Sequence, residues 1–292
     1  MHRIDTPTAQ KDKFGAGKNG FTGGNPQTGE LPTALDADFF DSLQEEIARV
    51  IEAAGLTLKK SNNAQLLEAM NTLTGPGRLL NVFLFTASGS YTPSQGTKKI
   101  RVTVIGGGGG GGAAQSNSQG YVSAGSGGGA GGSAISELNV SDITLPVNVT
   151  VGIGGNRGVF STNEPTSGGA SSFGTYLTAS GGQYGVNGSS VAFGATRLIP
   201  NGGGGAGSNG NIISAIGGPG TPAIVLQTGY ESGGGGNSLL SSGGTPISTT
   251  SSLNGVNGRH GSGGGGAYVL SSDSEKSGGM GGNGIVIIEE YA

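Results

Sequence analysis

Residues 98–112 read KKIRVTVIGGGGGGG, an alternating stretch that runs without a break into seven consecutive glycines, Gly106 to Gly112. Ile100, Val102 and Val104 alternate with Arg101 and Thr103, which is the two-residue period of a β-strand with β-branched side chains on its buried face. Glycine next to such a strand poses a thermodynamic problem. It loses more backbone freedom on ordering than any other residue and has no side chain to bury. An α-helix or a side-chain-packed sheet returns nothing for that loss. Extended helices with three residues per turn do, because their N–H and C=O groups point sideways and, without side chains, neighbouring helices can approach closely enough to bond. The expected fold is therefore mainly β with polyglycine II-like helices, and flexible linkers are the competing reading of the same runs.

Outward from this stretch the pattern repeats. Further runs lie at Gly125–Gly132, Gly202–Gly207, Gly217–Gly220, Gly233–Gly236, Gly263–Gly266 and Gly278–Gly284. Eleven of the 65 glycines precede residue 101, which leaves 54 in the remaining 192 residues. Strands are expected at 80–86, 100–105, 145–151, 172–179 and 285–288, and Pro146 sets a strand start or an edge. Upstream, Gly75-Pro76-Gly77 breaks the chain. Before it, Phe40, Leu43, Ile47, Val50 and Ala54 recur at spacings of 3, 4, 3 and 4, the seam of a heptad. Asp36 or Asp38 can cap that helix, and Gly55 ends it. A second helix fits 63–73, with Asn62 as cap and Gln65 three residues on. The domain reading is an extended segment at 1–35, a small helical module shared between chains at 36–75, a β-strand connector and start of the scaffold at 76–105, and a glycine-rich domain with variable loops at 106–292.

Composition excludes several functions. The net charge is −3, charged residues make up 11%, and no basic stripe exists to neutralise a nucleic-acid backbone. There is no cysteine, hence no disulfide and no thiolate metal site, and two histidines do not make a histidine-rich one. No segment approaches the roughly 20 apolar residues of a membrane span. No metal and no cofactor are expected. Gly-Lys-Ser/Thr follows none of the runs, which argues against a phosphate-binding loop. Acids after Gly106 are confined to Glu137, Asp142, Glu164, Glu231, Asp273, Glu275, Glu289 and Glu290, and Glu289 and Glu290 face opposite ways on a strand. A glycosidase pair is therefore poorly supplied, and no catalytic residue is assigned.

Between the runs lie segments rich in Ser, Asn, Thr and Gly, with single aromatics and cations. That mixture suits adaptable binding loops with rigid anchors. The candidate contact residues are Tyr121, Arg157, Phe160, Tyr184, Phe193, Arg197, Tyr230, Arg259, His260 and Tyr268.

The opening MHRIDTPTAQKDKFGAGKNGFTGGNPQTGELPTALDADFFDSLQEEIARVIE closely resembles the N-terminal region of tail-fibre proteins of tailed phages and prophages. VTVIGGGGGGG, GGASSFGTYLTASGG at 168–182 and GGMGGNGIVIIEEY at the C-terminal end resemble the glycine-rich tip adhesins of phage tail fibres. The resemblance implies a virion protein made in the host cytoplasm. It implies attachment to the tail or baseplate as a homotrimer of fibre type. It also implies a packed polyglycine sandwich whose variable loops bind an outer-membrane protein or lipopolysaccharide, with no nucleic acid and no membrane insertion. A polysaccharide-degrading tailspike and a purely structural fibre subunit are the alternatives.

Overall fold

The expected strand at the head of the first glycine run is Lys99–Ile105 in the computed structural model, which describes residues 2–75, 77–226, 229–248 and 251–292. It lies between Ile285–Tyr291 and Ser133–Asn139, antiparallel to both, in a five-stranded sheet completed by Leu79–Phe85 and Ile213–Ala215. A second five-stranded sheet carries Gly89–Tyr91, Val147–Thr150, Ser171–Phe173, Leu177–Ala179 and Gly207–Ser208. Their facing side chains make the main core, in which Ile100, Val102, Val104, Val286 and Ile288 meet Tyr91, Val147, Val149, Phe173 and Leu177. Residues 172–179 are a hairpin and not one strand, because Gly174 takes a φ of +51° that turns the chain. Glu290 points into this core and Glu289 away from it; the Glu290 carboxylate accepts from the Tyr91 hydroxyl at 2.7 Å and from the Ser94 N–H at 2.9 Å.

From Ile105 the chain leaves the sandwich as the buried run Gly106–Gly112, and its hydrogen bonds change partner with a period of three. Gly106, Gly109 and Gly112 donate to Gly132, Gly129 and Ser126; Gly107 and Gly110 donate to Gly169 and Thr166; Gly108 and Gly111 donate to Gly282 and Gly279. The same run accepts from Gly155 and Gly158, from Gly182 and Gly185, and from Gly264 and Ala267. Donation in three directions and acceptance from three others is what a helix of three residues per turn requires. The segment is thus surrounded by other chain segments and bonded to each through backbone alone. Residues 125–132 are placed in the same way, donating to 261–267, 180–186 and 218–221.

Glycine is needed here for space and not for an unusual backbone angle. None of Gly106–Gly112 has a φ in the left-handed region, yet a Cβ built on any of them would lie 1.9–2.5 Å from a backbone oxygen of a neighbouring segment. The register also shows passes that are poor in glycine. Gly152, Gly155 and Gly158 form one set and Gly182, Gly185 and Gly188 another, with glycine at every third position against the lattice and exposed residues such as Ile153 and Tyr184 on the free side.

The chain divides into two compact units, Met1–Arg78 and Leu79–Ala292. Leu79–Phe85 and Lys99–Ile105 flank Ile285–Tyr291, so the stretch read as connector and start of the scaffold contributes strands to the second unit. In the first unit, α1 spans Ala37–Ala53, with the Asp36 side chain accepting from the Asp38 N–H and Gly55 at a φ of +76° beyond its end. The second helix, α2, spans Gln65–Thr74 and begins two residues later than the pattern indicates. Gln65 is buried and its amide serves the inter-helix loop, accepting from the Lys59 N–H and donating to the Thr57 carbonyl, so it makes no capping box. The two helices pack through Ala48, Ile51 and Ala69, which leaves Phe40 and Ile47 of the heptad seam exposed along with Leu67, Met70 and Leu73 of α2. Ahead of α1, residues 2–35 turn repeatedly; Ile4 is buried, and Phe39 makes edge contacts with His2 and Phe21.

Candidate functional site

Passes of the lattice alternate in direction, and the bonding register fixes the end at which each connection emerges. Gly112 bonds Ser126 and Gly106 bonds Gly132, so 113–124 leave from the end opposite the sandwich. By the same reasoning 159–165, 189–201, 222–226, 229–232, 251–253 and 269–277 emerge at that loop end. Connections 209–216, 237–243 and 259–260 emerge at the sandwich end, as the bonds from Gly131 to Gly261 and from Gly261 to Asn283 require.

Five of the ten candidate residues therefore gather at the loop end: Tyr121, Phe160, Phe193, Arg197 and Tyr230. Tyr121 and Phe193 expose 42% and 54% of their surface, and beside them Leu198 and Leu226 are exposed as well. Tyr121 pairs with Ala192, and the Phe193 N–H donates to the Gly120 carbonyl, which places Phe193 in the turn just past the strand that pairs with Tyr121. The Arg197 guanidinium donates to Ser189 Oγ at 2.6 Å. Arg157 and Tyr184 stand on the flank of the lattice and are exposed. Tyr268 cannot touch a ligand. It is fully buried with Ala124, Ile199, Ala223 and Ile247, and its ring stacks on Tyr230 at 5.4 Å. Burial first, and then the neighbouring Tyr230, push its hydroxyl far above the usual phenol range. Arg259 and His260 belong to the opposite end.

Sequence reasoning missed the groups that hold these loops. Asn117 is buried; its side-chain amide donates to the Val269 carbonyl at 3.0 Å and its oxygen accepts from Ser190 Oγ at 2.6 Å. Gln115 Oε1 accepts from the Ser190 N–H at 2.9 Å, and Ser271 Oγ accepts from the Gly120 N–H at 2.9 Å. Ser161 Oγ donates to Glu275 at 2.7 Å, which ties residues 159–163 to the loop after 269. Two small sheets lie beneath these loops, one of Tyr121–Ala124, Val191–Ala192 and Tyr268–Val269, the other of Arg197–Ile199, Ala223–Leu226 and Gly229–Glu231. The result is a surface of exposed aromatic and aliphatic side chains on loops pinned by buried polar groups. Such a surface can bury apolar area and hydrogen-bond a partner with little ordering cost.

Among the described residues, no helix is long and apolar enough to cross a membrane. The chain is 66% identical over 73 residues to the uncharacterized protein StfP of Escherichia coli strain K12. That match covers 25% of this chain and 35% of StfP, so the chain spans about a third of that relative's length. The model of the glycine-rich domain matches residues 86–291, which takes in the lattice, the loop end and every strand of the two five-stranded sheets except Leu79–Phe85, and the chain belongs to that glycine-rich domain family.

Proposed function

We propose that the chain is a receptor-binding protein of a phage tail fibre, carried on the virion and acting at the outside of the bacterial cell. The observation that carries the reading is the loop end itself: sequence-diverse loops bearing exposed Tyr121, Phe193, Leu198 and Leu226, held by a lattice in which backbone bonds to backbone. Ordering dozens of glycines is costly, and that cost has a purpose if the lattice, of polyglycine II type, presents changeable loops rigidly. The N-terminal resemblance to tail-fibre attachment regions supplies the context. The exposed seam of Phe40 and Ile47, together with Leu67, Met70 and Leu73, suits burial between copies of the chain in a homotrimer. The receptor is an outer-membrane protein or lipopolysaccharide, held by apolar contact and hydrogen bonds, and the protein acts by binding without turnover.

Replacing residues 189–198 with the corresponding loop of another glycine-rich domain should change which bacterial strains the protein adsorbs to, while its melting temperature stays within a few degrees. Adsorption that is unchanged after replacement of 189–198, 115–120 and 226–231 together refutes the assignment. Release of oligosaccharides from host polysaccharide by the purified protein refutes the absence of turnover.

A further inference from the structure

The sandwich end carries a groove that the loop-end reading leaves unused. It has a volume of about 420 Å³ and lies where the lattice meets the strand Ile285–Tyr291, among Arg259, His260, Asn257, Asn283, Thr86 and Met280. We propose that this groove binds a carboxylated sugar, a ligand of the uronic-acid class, independently of the loop end.

Several hydrogen-bonding groups at the groove remain unused. Asn257 Oδ1 accepts from the Met280 N–H at 2.8 Å, and Asn283 Oδ1 accepts from the Gly154 N–H at 2.8 Å. Each amide is therefore oriented with its oxygen committed to backbone, and its NH2 group is left to donate. The Arg259 guanidinium adds donors in a planar fork that matches a carboxylate. Among the described residues no Asp or Glu lines the groove to neutralise the arginine.

His260 strengthens the case. It has a φ of +44°, a left-handed conformation uncommon for a residue other than glycine and enriched at functional positions. The position is pinned on both sides. The His260 carbonyl accepts from Ser238 Oγ at 2.7 Å, and the next residue, Gly261, donates to the Asn283 carbonyl at 2.7 Å. The backbone is thus held in a form that sets the Arg259 and His260 side chains at the groove.

Size and composition decide between a bare anion and something larger. A volume of this order falls in the range of roughly 300–1,000 Å³ typical of small-molecule sites and exceeds what one inorganic anion fills. The Thr86 hydroxyl and the two amides can meet sugar hydroxyls, and Met280, 41% exposed, offers an apolar surface to a ring face.

The test is ligand-observed NMR titration of the full chain with glucuronate, glucose and inorganic phosphate. Glucuronate should bind saturably, at least ~10-fold tighter than glucose or phosphate, in keeping with a charge-assisted bidentate contact. Arg259→Gln should weaken glucuronate at least ~10-fold, the loss expected when that contact is removed, with the melting temperature unchanged, because Arg259 is exposed. His260→Asn keeps a residue that tolerates the left-handed backbone, and should weaken glucuronate while the fold persists. Equal affinity for glucose, phosphate binding as tight as glucuronate, unchanged binding by Arg259→Gln, or no saturable binding each overturns the proposal. Adsorption to cells through the loop end is read separately, so failure of one assignment leaves the other standing.

Discussion

Replacing Gly109 by alanine tests the lattice in the middle of its first glycine run. The new Cβ would lie 2.0 Å from the Gln183 carbonyl oxygen and 2.5 Å from its carbon, both backbone atoms. Ordinary contact begins at 3.4 Å, so residues 106–112 and 182–188 must separate by 3.4 − 2.0 = 1.4 Å. That movement stretches the bonds from Gly182 to Gly107 and from Gly185 to Gly110, now 2.9 and 2.8 Å, past any useful length. Leaving buried backbone groups unpaired costs about 1–3 kcal/mol each, so two lost bonds cost about 2–6 kcal/mol. The helix cannot slide away instead, since other segments bond to it on its remaining sides. For a domain of this size that loss lowers Tm by about 5–20 °C. Calorimetry of the full chain checks it, with Gly229→Ala as control, since a Cβ at Gly229 meets nothing within 4 Å and its φ is ordinary. A Gly109→Ala protein that melts within about 2 °C of the control, less than a single lost hydrogen bond would produce, refutes backbone-to-backbone packing as the reason for glycine.

Two further substitutions probe the sandwich and the loop end. The Tyr91 hydroxyl is held far above the usual phenol range, by burial first and then by Glu290, so its neutral form is the folded one. Its contribution is complete below the unfolded phenol value of about 10 and is lost as pH rises above it. Tyr91→Phe should cost about 1.5–3 kcal/mol at pH 7, the worth of a hydrogen bond to a charged group, and should flatten the fall in Tm between pH 7 and 11; an equal fall in both proteins counts against the assignment. Asn117→Leu removes the buried link between three loops at about 1–3 kcal/mol, and cell adsorption should fall well beyond what the small drop in Tm accounts for. Adsorption equal to that of the parent protein would show that loop pinning is unimportant.

The strands beside the glycine runs are legible in the sequence, because a two-residue alternation of Val and Ile survives any tertiary context that buries one face. The α1 boundaries are legible too, since Asp36 and Gly55 act locally. The lattice is half legible. Runs such as Gly106–Gly112 announce themselves, whereas residues 152–158 and 182–188 need glycine only on the side that faces a neighbour. The spacing Gly152, Gly155, Gly158 carries that signal and is easily lost beside longer runs. Missing such passes miscounts the reversals of the chain, which is why Arg259 and His260 are grouped by sequence with residues at the other end. Tyr268 misleads for a different reason. An aromatic in a polar, glycine-rich segment looks like a free anchor, and only its stacking on Tyr230 reveals a core residue.

The neighbours of Gly106–Gly112 also set a timetable for synthesis. Gly108 bonds Gly282, which leaves the ribosome 282 − 108 = 174 residues later. At about 5–20 residues per second, this enclosed helix waits roughly 10–35 s for its last partner. Until then its amides and carbonyls are open, with few apolar side chains to drive premature collapse. The hazard in that interval is pairing of backbone with another nascent chain. Closer spacing of ribosomes on the message should therefore lower the fraction of this protein that reaches its native form.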